Sequence, residues 1–100
     1  MTTVVGGDVW PAITKACGTR GPRRAAIAYV GADAPSLMPL ERNDELTVNA
    51  SPSALLSHAT SPDALEAYVR SGVRVWSSRN LHAKVLTTAS VAVVGQRTHL

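Results

Sequence analysis

His82 and Lys84 stand two residues apart in the run "SSRNLHAKVLTTASVAVVG", residues 77–95, whose other positions are mostly aliphatic, small or hydroxyl-bearing. In an extended chain residues two apart project to one side, so the imidazole and the ammonium share a face while Leu81, Ala83 and Val85 point the other way. A cation beside an imidazole opposes its protonation unless an anion joins the two. The pair therefore suits a phosphate, with the imidazole as nucleophile or proton donor and the ammonium against the phosphate oxygens. The other reading of the same spacing is an exposed strand face on which a histidine and a lysine alternate. Arg79, three residues before His82, either reaches the same phosphate or is a solvated turn residue.

The remaining polar residues are weaker candidates. His58 reads as a loop or helix-end residue and His99 as part of a loose terminus. Arg20, Arg23 and Arg24 read as a solvated basic turn or a nucleic-acid contact. Trp10 and Trp76 suit core or interface anchors. The formal net charge is +3, and the basic side chains are mainly arginine, whose planar fork matches phosphate. That leans towards an anionic ligand and is equally met by arginines in water.

Cys17 is the single cysteine, which excludes an intrachain disulfide and a cysteine-based metal site. No cofactor or metal is called for. The chain shows neither a leader pattern nor an apolar run approaching the roughly 20 residues of a membrane helix. The expectation is a cytoplasmic protein with no membrane partner.

One hundred residues, 45% of them hydrophobic, fit one domain over 1–100 with any disorder at its ends. Residues 8–16 have helical spacing, with Pro11 in the first turn and Gly18 as the stop. Residues 25–31 form a short apolar run suited to a central strand, and residues 45–50 alternate as the next one. Between them, Pro35 and Pro39 mark a helical turn and a loop. Of two Ser-Pro signals the second is the stronger: Ser61 caps, Pro62 begins a helix with a buried stripe of Leu65, Tyr68 and Val69, and Gly72 ends it. Residues 73–77 are a strand, and residues 81–87 and 91–94 an antiparallel hairpin. The fold class is α/β, a mixed β-sheet with flanking helices, and more than one copy is expected.

The hairpin and the crossover before it resemble the phospholipase D superfamily. Its signature is H-x-K-x4-D, followed a few residues later by G-S-x-N. Here His82, Ala83 and Lys84 match; Ala89 stands at the aspartate position, Gly95 falls one residue early, and Gln96 and Thr98 replace the serine and asparagine. The likeness covers roughly residues 25–95, and the chain stops where the family continues into further elements, as expected of a lobe shortened at its C-terminus.

The resemblance implies a phosphodiesterase of nuclease type that works without metal. Two motifs meet across a twofold axis; one histidine attacks phosphorus and the other protonates the leaving oxygen, while lysines hold the phosphate. His82 and Lys84 then become the catalytic pair, with Lys84 and Arg79 as phosphate ligands. One motif per chain calls for a homodimer or a second lobe, with DNA or RNA as the phosphodiester. The missing aspartate leaves His82 without a group to orient its ring, which points to the alternative of a degenerate module for phosphate or nucleic-acid binding or for dimerisation.

Overall fold

The computed structural model describes residues 1–95; His99 and the Gln96 and Thr98 positions lie outside the described residues. The chain runs β1 (Thr2–Val5), α1 (Trp10–Ala16), β2 (Arg24–Ile27), α2 (Ala34–Leu37), β3 (Glu45–Val48), α3 (Pro52–Leu56), α4 (Pro62–Arg70), β4 (Arg74–Ser77), β5 (Lys84–Thr87) and β6 (Ala92–Gly95). All six strands form one sheet in the order β1-β6-β5-β2-β3-β4. β5 is antiparallel to both neighbours, and the other three pairings are parallel, so the sheet is mixed as expected. Among the described residues no helix is long and apolar enough to cross a membrane.

The strand order explains where the helices lie. From β1 to β2, β3 and β4 the chain always advances in the same direction across the sheet. Crossovers between parallel strands are right-handed because of strand twist, so connections that never reverse deliver their helices to one face. On that face Ile13 of α1, Ala34 of α2 and Ala64 and Tyr68 of α4 join Ala25, Ile27, Leu46, Val48, Leu86 and Val93 in a single core.

Local signals set the individual elements. Ser61 accepts a bond from Ala64 N at 3.2 Å, and Pro62 follows where its missing N–H costs least. Gly72 ends α4 with a φ of +87°, a conformation glycine adopts freely. The first Ser-Pro signal also starts a helix, α3, capped by Ser51.

Four expectations need correction. Val69 is 60% exposed; the small Ala64 takes its place beside Tyr68, which lets α4 lie close to the sheet. The N-terminus is ordered as β1, parallel to β6, with the Met1 ammonium donating to the Ser90 carbonyl at 2.7 Å. Arg23 and Arg24 are not a free basic turn: Arg23 is buried against Asp44, and Arg24 opens β2 beside Glu45. The hairpin's first strand begins at Lys84 rather than Leu81, because a turn closed by Leu81 N on the Ser78 carbonyl precedes it.

Candidate functional site

β5 runs against its neighbours, so its beginning lies among the segments that follow β2, β3 and β4. Open α/β sheets bind ligands outside the carboxyl ends of their parallel strands, where loops converge. Lys84 is the first residue of β5, opposite Ile27. Ala83 extends the ladder by accepting a bond from Ala28 N at 2.8 Å, and His82 comes immediately before it. Ile27 and Leu86 both face the core, so Lys84 leaves the sheet on the helix-covered side, at its rim. His82, Lys84 and Arg79 are all exposed, and none of their side chains bonds or ion-pairs with another described residue.

Asn49 gathers the segments around them. It is 6% exposed at the end of β3. Its Nδ2 donates to the Tyr29 hydroxyl at 3.4 Å and to the Arg79 carbonyl at 3.3 Å, and its Oδ1 accepts from Ser51 N at 3.1 Å. Its main chain is held too: Asn49 N donates to the Ala28 carbonyl at 2.9 Å, and Thr60 Oγ1 donates to the Asn49 carbonyl at 2.6 Å. One buried amide thus ties the ends of β2 and β3, the start of α3 and the turn that carries Arg79. Pattern reading passed over both Asn49 and Tyr29. The available signal was Asn49 two residues before the Ser51 cap, the spacing of an Asx turn.

Gly95 closes the rim on the other side of Lys84. A Cβ there would lie 3.1 Å from Lys84 Cβ and 3.2 Å from Val9 Cγ2, so a larger residue at the close approach of β6, β5 and the start of α1 would make a neighbour give way by a few tenths of an ångström.

The aspartate position of the motif lies elsewhere. Ala89 sits in the β5–β6 turn, with its Cβ 3.2 Å from where a Cβ on Gly21 would be. The length of β5, roughly 10 Å at the usual strand rise, separates that turn from Lys84, and His82 is further still. An aspartate at position 89 would not touch His82. Its absence therefore bears on the hairpin turn, where Thr88 Oγ1 accepts from Ser90 N and Val91 N at 3.3 and 3.0 Å, and not on the imidazole.

The opposite end of the sheet is closed by its own charges. Asp44 is 2% exposed and accepts from Arg23 N, Arg23 NH1 and Glu41 N at 2.8, 3.0 and 2.7 Å. Cys17 is buried within reach of both charges, and burial pushes its thiol up. Tyr68 donates to the Met38 carbonyl at 2.9 Å, and burial followed by the nearby Cys17 pushes its phenol up. His58 is exposed beyond the end of α3 with a φ of 61°, a helix-end residue as expected. Trp10 packs on the core, whereas Trp76 is 59% exposed. Among the described residues no three His, Cys, Asp or Glu side chains come together as a metal site.

Comparison with family models, with curated proteins and with solved structures finds no match for the chain.

Proposed function

We propose that the chain is a phosphodiester-binding lobe of the phospholipase D type, in which Lys84 and Arg79 hold the phosphate and His82 faces phosphorus. The observation that supports this reading is the exposure of His82 and Lys84, without described partners, at the carboxyl end of the sheet. An anion held between an imidazole and an ammonium favours both, and no described residue takes that place. The arginine-rich composition favours a nucleic acid, DNA or RNA, as its source.

Turnover needs a second imidazole. His82 attacks phosphorus as the bond to the leaving oxygen breaks, and a His82 from a second lobe gives that oxygen its proton. Water then attacks the phosphohistidine, loses its proton to the second imidazole, and frees the first. A single lobe carries only one such histidine, so an isolated copy binds without turning over.

The test combines hydrolysis of bis(p-nitrophenyl) phosphate in EDTA with the binding of a short single-stranded DNA across a salt series. Turnover abolished by His82→Ala establishes the covalent route. Salt-sensitive binding that Lys84→Ala weakens more than His82→Ala, with no turnover, assigns a phosphate-binding module instead. A folded protein that does neither rejects both readings.

A further inference from the structure

The face of the sheet opposite the helices carries one unbroken row of small and apolar side chains. The strand registers align Val4, Val94, Val85, Ala26, Thr47 and Trp76 across all six strands. Val4 and Trp76, at the two edges, are 63% and 59% exposed, and the four between them are only half-buried. All-parallel sheets are ordinarily covered on both faces, and β2, β3 and β4 form a parallel block here. Here the same-direction crossovers send α1, α2 and α4 to the other side. The next row supplies a polar rim, in which Glu45 lies 3.6 Å from Arg24 and 3.9 Å from Arg74. An apolar row bordered by charge on one side, at β2, β3 and β4, has the core and part of the rim of a protein interface.

We propose that a second copy of the chain covers this face, sheet against sheet. The dimensions fit. The molecule measures 38 × 36 × 20 Å, a slab one sheet and one helix layer thick, and two slabs back to back are as deep as they are wide. The oval within that outline is roughly 1,000 Å², of which the six four-residue strands make up about 29 × 13 Å, so a contact that reaches the ~800 Å² per partner of a standard interface also takes in the loops at both strand ends.

The pattern also fits a twofold axis parallel to the strands, which reverses the strand order. Trp76 then lies over the partner's Val4, Val94 over the partner's Thr47 and Val85 over the partner's Ala26. In the rim row Arg74 meets the partner's Thr2, Glu45 the partner's Ala92 and Arg24 the partner's Thr87, so no arginine opposes an arginine. An axis across the strands would instead lay each residue of the apolar row on its own copy. This contact is separate from the phosphodiester site, since Lys84 leaves the sheet on the helix side.

The test is the molar mass of the full chain by light scattering over a concentration series, with Trp76 emission as a second reading in a Trp10→Phe background. The expected result is twice the chain mass at the higher concentrations, with Trp76 emission moving to the blue as the dimer forms. Val85→Lys, at the middle of the row, returns the monomer mass. Trp76→Glu changes a position already more than half exposed; it leaves the circular dichroism unchanged and weakens association at least tenfold. His82→Ala leaves both readings unchanged. A wild-type chain that stays monomeric at every concentration overturns the proposal, as does a dimer that Trp76→Glu leaves intact.

Discussion

The two ends of the sheet handle charge in opposite ways. At the amino end, before β2 and β3, Arg23 and Asp44 are buried against each other, and Asp44 also satisfies two main-chain N–H groups. At the carboxyl end, Arg79, His82 and Lys84 are exposed and unpaired among the described residues, while the polar group that is buried, Asn49, is neutral. The amino-end charges hold loops together. Those at the carboxyl end hold no other described residue.

The strongest way to break this contrast is Asp44→Ala. Removing one partner of a buried ion pair strands the other, here Arg23, whose side chain is 11% exposed. A loss of about 3–5 kcal/mol is expected, read from the urea unfolding midpoint. A loss of less than about 1 kcal/mol, the range of an exposed pair, would mean that the Arg23–Asp44 pair does not secure the amino end.

Gly95→Ala probes the carboxyl end, where backbone packing rather than charge matters. The added methyl meets Lys84 Cβ and Val9 Cγ2, and overpacking of this kind costs about 1–3 kcal/mol. The same unfolding experiment measures it; an unchanged midpoint would show that β6 and α1 separate at little cost.

A pH series gives a smaller effect confined to the amino end. The Cys17 and Tyr68 pKa values are both raised by folding, from ordinary values of 9.0 and 10.0. Above those values the unfolded chain binds fewer protons than the folded one, so the contribution of these two groups to stability is constant below about pH 9 and falls as pH rises further. Thermal melts should show that fall. Tyr68→Phe should make it shallower, at the cost of the bond to Met38, about 1 kcal/mol. A fall of the same steepness in Tyr68→Phe would assign it to other groups.

The smallest effect belongs to the exposed side chains of the carboxyl end. His82→Ala and Lys84→Ala should leave the urea midpoint where it was, because neither side chain holds another described residue. A shift as large as that of Gly95→Ala would make these residues structural and would blur the contrast between the ends.

The elements with strong local chemistry were legible in the amino-acid sequence. Ser61-Pro62 announced α4, the apolar runs announced β2, β3 and β4, and the alternation after Leu81 announced the hairpin. β1 was not legible, because four residues, Thr2 to Val5, become a strand only through β6 at the other end of the chain. Asp44 and Asn49 were missed for the same reason: a polar residue reads as solvated until its distant partners are known. Spacing put His82 and Lys84 on one face of a strand over residues 81–87, whereas the structure begins that strand at Lys84 and leaves His82 before it, because a turn precedes the ladder. What spacing could not supply was that Ala89 lies at the far end of β5, which removes the orienting role first assigned to that position.

The pairing of β1 with β6 has a consequence for the order in which the molecule comes apart. The register joins Thr2 to Ala92, almost the whole chain apart, so forming this pair closes nearly the longest loop the sequence allows. β1 is also an edge strand with bonds on one side only, and Val4 lies open to water. Contacts of such long range form late and are slow to close, and the edge that joins last is the first to fray. The native protein is thus expected to open from β1 inward, baring the edge of β6, while β2 and β3, each paired on both sides, persist as the most protected part of the sheet.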